Sequence, residues 1–165
     1  MTTTFSNDSN LLQNLLNKII RYRFTRNIDR ELENRKISHA ELSRSCGRNE
    51  NWYNRSFNNL EDMKITTLVK LVAAVTKISD QKAKHEPFNI NSVLDEELVV
   101  IASVLIDLKE NNLKEILHPD ANMMEFFLKI KVYVNSMKNL VTQEESDAYF
   151  RILEQITKKE IKKNG

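Results

Sequence analysis

The chain has 165 residues and carries 25 Lys/Arg against 23 Asp/Glu, a net charge of +2, which allows one domain or two small ones. Only two Gly (Gly47, Gly165) and two Pro (Pro87, Pro119) punctuate it; sheet proteins need many positive-φ turns, so this composition points to an all-α chain. The lone Cys46 excludes an internal disulfide and fits a reducing compartment, and its plain reading is a small buried thiol on a helix. No signal peptide or membrane span is visible, since even the apolar stretch Leu98–Ile106 carries Ser103 and has acidic flanks. The expectation is a soluble, cytoplasmic protein that does not meet a membrane.

Charge is unevenly placed. Residues 1–84 hold 15 Lys/Arg against 9 Asp/Glu, a net of +6, and residues 85–165 hold 10 against 14, a net of −4. A basic front half and an acidic back half suggest that one half meets a polyanion.

In chain order, Met1–Asn10 is polar and expected to fray. From there Leu12, Leu16, Ile19 or Ile20, Phe24, Ile28 and Leu32 recur three or four apart, the stripe of an amphipathic helix. One long helix, or two broken near Thr25–Asn27, fits equally well. Ser38-His39-Ala40-Glu41 is a capping box that opens a short helix. Gly47 ends that helix in the left-handed conformation open to glycine. Asn49–Asn58 follows as a second short helix with Trp52, Tyr53 and Phe57, of which Trp52 and Phe57 are expected in the core. Thr66 or Thr67 caps a third, with Leu68, Leu71, Val72 and Val75 apolar.

Residues 80–91 read as a linker, polar and containing Pro87. Behind it stand three helical candidates: 93–112, 121–139 capped by Asp120, and 143–162 opened by the capping box Thr142-Gln143-Glu144-Glu145. The pairs Met123-Met124 and Phe126-Phe127 read as core or dimer packing. The organisation expected is therefore an N-terminal helical domain at 1–79, a linker at 80–91, and a three-helix dimerisation or interaction domain at 92–165.

The informative spacing lies in residues 38–59. A capped helix, a glycine turn and a second short helix within about twenty residues force the pair to cross steeply, one presenting the other outward. Ala40 is small enough for the crossing, and Leu42 and Tyr53 fill the joint. The outer face is left with Asn49, Glu50, Asn51, Asn54 and Arg55. Asn suits bidentate contact with adenine, Arg with guanine, and Glu50 can accept from cytosine or repel phosphate. Asn58 and Asn59 suit phosphate contact or helix termination. Arg21, Arg23, Arg26, Arg30 and Arg35 form a basic stripe that reaches phosphate or pairs with Asp29, Glu31 and Glu33.

The run Ile28…Leu32…Ser38-x-Ala40-Glu41-Leu42-Ser43-x-x-x-Gly47…Trp52-Tyr53-x-Arg55…Asn59…Ile65-x-x-Leu68-x-x-Leu71-x-x-Ala74-Val75 resembles the lambda-repressor/Cro-like helix-turn-helix family over residues 26–79. The resemblance implies a five-helix domain that binds double-stranded DNA as a dimer on a two-fold operator, with Asn49–Asn58 in the major groove. Two positions depart from the family pattern. Arg48 stands where a buried aliphatic residue is usual, which loosens the turn or adds a phosphate contact, and Lys36 stands where Gly is frequent.

His39, His85 and His118 lack ligand spacing, so no metal is expected. No phosphate loop or nucleophile–base pair can be assembled, so neither enzymatic activity nor a cofactor is expected. The function anticipated is a sequence-specific transcriptional regulator, a repressor acting as a homodimer through its C-terminal helices. The alternative is a phage- or plasmid-derived protein-binding inhibitor or copy-control protein that keeps the same module for autoregulation.

Overall fold

A computed structural model describes residues 2–82, 88–110 and 120–158; His85, Pro87, His118 and Pro119 lie outside the described residues. Every described element is helical: α1 Thr2–Asn34, α2 His39–Ser45, α3 Trp52–Asn58, α4 Ile65–Gln81, a 3-10 turn Ile90–Ser92, α5 Glu96–Glu110, α6 Ala121–Ser136 and α7 Gln143–Lys158. None of them is long and apolar enough to cross a membrane.

The front of the chain forms one continuous helix. α1 runs through Thr25–Asn27 without a break and reaches back to Thr2, across the segment expected to fray. Thr25 and Asn27 are buried; Thr25 Oγ1 donates to the Arg21 carbonyl at 2.7 Å and Asn27 Nδ2 to the Val93 carbonyl at 3.0 Å, while Asn27 Oδ1 has no partner among the described residues. Polar residues that looked like a break thus sit inside the helix because they have partners there.

The chain divides into two compact units, Arg21–Val99 and a second made of Met1–Ile20 with Val100–Gly165. The sequence placed a linker at 80–91; the units divide instead within α1 and within α5. The reason lies in residues 88–95. Val93 is fully buried in the core of the first unit, and Phe88 packs against that core beneath the Arg35 guanidinium, 5.8 Å from its ring. Arg23 Nη2 holds Asp95 at 2.7 Å and Glu97 at 2.8 Å. Residues 88–95, with two apolar anchors and a charged clamp, thus pack with the first unit, and residues 83–87 of the expected linker lie outside the described residues.

The core of the Arg21–Val99 unit is one cluster: Ile28 and Leu32 of α1, Ile37, Leu42 of α2, Tyr53 of α3, and Leu71, Ala74, Val75 and Ile78 of α4. The i, i+4, i+7 spacing along α1 and α4 delivers these residues to one side. α4 begins at Ile65 with Lys64 at its N-cap and no side-chain cap bond, so neither Thr66 nor Thr67 opens it.

In the other unit, Leu12, Leu15, Leu16 and Ile19 are buried with Ile101, Leu105, Leu108, Phe127, Ile130, Val134, Tyr149, Ile152, Leu153 and Ile156. Of the paired residues expected in packing, Phe127 is fully buried, and Met123, Met124 and Phe126 are half-buried. α6 and α7 start where their capping residues dictate. Asp120 accepts the Met123 N–H at 2.8 Å. Thr142 Oγ1 accepts the Glu145 N–H at 3.1 Å while Glu145 Oε2 accepts the Thr142 N–H at 3.1 Å, the reciprocal box. Lys18 Nζ of α1 reaches Glu145 at 2.8 Å and lies 5.9 Å from the centre of the Tyr149 ring.

Candidate nucleic-acid interface

The α2–α3 pair is built from short helices that rely on caps rather than length. Ser38 Oγ accepts the Glu41 N–H at 3.1 Å. The Glu41 carboxylate is engaged by Lys82 Nζ at 3.1 Å, so it ties α2 to the end of α4 where the capping-box pattern suggested a local return bond. At the other end, Gly47 adopts φ +71°. Its N–H bonds the Arg44 carbonyl at 2.9 Å and the Arg48 N–H bonds the Ser43 carbonyl at 2.9 Å, the double closure that a left-handed residue permits.

The joint between the helices falls on Ser43, not on Ala40. Ser43 is fully buried, whereas Ala40 is half-buried. Ser43 Oγ donates to the His39 carbonyl at 2.7 Å and accepts the Tyr53 N–H at 3.2 Å. α3 starts at Trp52, and its N-cap Asn51 makes no side-chain cap bond. One of the amides that every helix start leaves open is therefore capped from the neighbouring helix. A small residue with an acceptor is what this crossing requires, and Ser43 carries the hydroxyl that Ala40 lacks.

Tyr53 fixes α3 to α1. It is fully buried and its hydroxyl donates to the Thr25 carbonyl at 3.4 Å. Burial, reinforced by the nearby Asp29 charge, pushes the phenol far above its ordinary range, so it stays protonated. Asp29, itself buried on α1, accepts from His39 Nε2 at 2.9 Å, and the His39 ring meets Tyr53 edge-on at 4.8 Å between centroids. Burial raises the Asp29 carboxyl above its usual range, with His39, Tyr53 and Arg26 only partly offsetting it. This Asp29–His39–Tyr53 contact joins all three helices and was missed in the sequence, where the three residues are far apart.

The eight residues expected at the interface are all exposed: Arg48, Asn49, Glu50, Asn51, Asn54, Arg55, Asn58 and Asn59. They fall into two groups. Asn51, Asn54, Arg55 and Asn58 follow i, i+3, i+4, i+7 and share one stripe of α3 and its cap. Arg48, Asn49 and Glu50 belong to the turn, since the helix expected from Asn49 begins three residues later. There Asn49 Oδ1 takes the Asn51 N–H at 3.0 Å, a local turn that competes with the helix. Glu50 is held by Arg44 Nη1 at 2.6 Å, and the Arg48 guanidinium stacks 5.5 Å from the centre of the Trp52 ring. Trp52 is accordingly half-buried, as is Phe57, which packs 6.4 Å from Tyr22.

The basic stripe on α1 resolves residue by residue. Arg21 reaches Asp62 at 3.9 Å, Arg23 clamps Asp95 and Glu97, and Arg35 is buried against Glu31 at 3.4 Å and Ser79 at 3.0 Å. Arg26 and Arg30 are exposed. Beside the turn an open groove of about 400 Å³ is lined by Ser45, Cys46, Gly47, Lys70, Ala73, Ala74 and Lys77. Cys46 there is half-buried, and burial outweighs Arg48 and Lys70 to raise its thiol above the ordinary range, so the unreactive thiol is the resting form. Among the described residues no three His, Cys, Asp or Glu side chains gather as a metal site would need. Comparison with family models, with curated proteins and with solved structures returns no match to this chain.

Proposed function

We propose that residues 38–59 act as a helix-turn-helix of the lambda-repressor/Cro-like type and that the chain is a sequence-specific DNA-binding transcriptional regulator, a repressor. The observation that carries this reading is the stripe Asn51, Asn54, Arg55, Asn58: amide and guanidinium groups, all exposed, on a helix whose opposite side is anchored through Tyr53 and Ser43. Such groups recognise base edges bidentately, and a rigidly held helix presents them at fixed spacing. Arg55 has no ion-pair partner among the described residues, so no intramolecular bond must break for it to reach a base.

The N-terminal module is then followed by a helical part that pairs two copies on a two-fold operator. Leu128 and Val132, one turn apart on α6, are 50% and 65% exposed, which suits a contact between C-terminal helices. Selection of bound sequences from a random duplex library tests the reading. Enrichment of a two-fold site supports it, and recovery of no preferred sequence at moderate salt sinks it. On the selected site, Asn54→Ala or Arg55→Ala is expected to cost about 1–3 kcal/mol and relax preference at one base pair.

A further inference from the structure

Arg26 and Arg30 stand four residues apart on α1, about 6 Å along the helix axis. Both are exposed, and among the described residues neither enters an ion pair. The acids that would quench them are committed or apart. Asp29 is 7% exposed and faces His39 Nε2 at 2.9 Å, leaving Arg26 only its attenuated charge. Glu31 is taken by Arg35 at 3.4 Å, and Glu33 makes no ion pair among the described residues. Two like charges one turn apart slightly weaken a helix, so beyond the pull of Arg26 on the Asp29 charge the fold gains nothing from this spacing. Their three neighbours in the stripe, by contrast, each serve the fold through a named acid. The location is also specific: Asp29 lies between the two arginines in sequence and binds His39, the first residue of α2. The Arg26–Arg30 edge of α1 therefore borders the helix pair.

We propose that Arg26 and Arg30 form a phosphate-binding edge that takes the DNA backbone alongside the segment read by α3. This rests on the DNA-binding reading above and adds a second surface with a different job. The edge supplies sequence-independent affinity through counterion release, while the α3 stripe supplies preference.

The test uses the full chain, a duplex carrying the selected site and a duplex of scrambled sequence, titrated between about 50 and 200 mM KCl. The variants are R26Q/R30Q, R26K/R30K and Arg55→Ala. R26Q/R30Q is expected to weaken binding to both duplexes by the same factor and to reduce the slope of log affinity against log salt by about 2. R26K/R30K keeps the charge and is expected to keep the slope, which separates lost charge from a damaged fold. Arg55→Ala is expected to lose preference for the selected site while changing the slope by about 1 at most. If the wild type prefers the selected site and R26Q/R30Q leaves the slope unchanged, the edge is overturned and the DNA-binding reading stands. If R26Q/R30Q loses preference without losing slope, the arginines read bases and the edge is again overturned. If the wild type binds neither duplex, the underlying reading fails and the edge with it.

Discussion

Three consecutive helices close on a left-handed residue, and only one of the three is glycine. After α1 the Lys36 N–H bonds the Glu33 carbonyl at 3.1 Å and the Ile37 N–H the Leu32 carbonyl at 2.9 Å, with Lys36 at φ 55°. After α3 the same pair of bonds forms around Leu60, at φ 50°. For an L side chain this conformation costs about 1–2 kcal/mol. Lys36 is exposed, and both its bond to the Glu33 carbonyl and its carbonyl that accepts from Lys82 Nζ at 2.9 Å belong to the backbone. Lys36→Gly should therefore stabilise the chain by about 0.5–1 kcal/mol, after the greater unfolded-state entropy of glycine is set against the relieved strain. Leu60 is 5% exposed, so Leu60→Gly should instead destabilise by about 2 kcal/mol or more, burial outweighing strain. Urea unfolding of both variants checks the opposite signs. Asp29 offers a pH test. Its folded carboxyl is raised, by burial first, so the folded state holds that proton more tightly than the unfolded one. Its contribution to stability is present below the unfolded carboxylate range and is lost as pH rises through the raised value. Asp29→Asn removes this dependence, and its stability relative to wild type is expected to be highest near pH 7 and to decline as pH falls toward 4. A gap that does not change with pH would refute the assignment.

At the scale of elements, α2 and α3 have seven residues each, too short to persist without outside help. Ser43 supplies it by capping the Tyr53 amide across the joint. Ser43→Ala leaves that buried N–H without an acceptor and should cost about 1–3 kcal/mol. Amide hydrogen exchange should quicken in α3 before it quickens in α1 or α4. What the sequence made legible was mostly local chemistry. Ser38, Gly47, Asp120 and Thr142 each end or begin a helix where their side chains or φ demand it. What it hid was chemistry across helices. Glu41 looked like half of a capping box and serves Lys82; Ala40 looked like the crossing residue and Ser43 is; Asp29, His39 and Tyr53 carry no periodic signal at all. The candidate site follows the same rule: exposure of Asn51, Asn54, Arg55 and Asn58 followed from helical spacing, while the turn at Asn49 depended on a side-chain acceptor competing with the helix. Arg35 pairs with Glu31 at the i, i+4 spacing that the sequence displays, whereas Arg21 and Arg23 owe their roles to acids at positions 62, 95 and 97, distances in sequence that no local pattern reports.

Across the whole molecule, charge and connectivity both redistribute once the units are known. Arg21–Val99 holds 14 Lys/Arg against 12 Asp/Glu, a net of +2, and the remaining residues hold 11 of each. The contrast between the two halves of the sequence therefore does not survive as a contrast between units; positive charge is a property of faces, through residues such as Arg26, Arg30 and Arg55. Connectivity differs more sharply. The Arg21–Val99 unit is one continuous stretch, whereas the other must join residues 1–20 to residues 100–165 across the intervening chain. Closing so long a loop carries an entropy cost that grows with the logarithm of its length while the loop is unfolded. That cost falls once the intervening segment is compact, so the local, continuous unit is expected to form first and the Lys18–Glu145 bond at 2.8 Å, spanning 127 residues, to form late. Pulse-labelling hydrogen exchange during refolding should find the amides of α2 and α4 protected before those of α7. Glu145→Gln is expected to speed unfolding while leaving the folding rate nearly unchanged, because its contact is absent from the transition state. Simultaneous protection of α4 and α7, or a Glu145→Gln variant that slows folding, would show that the discontinuous unit helps nucleate the fold and would overturn this order.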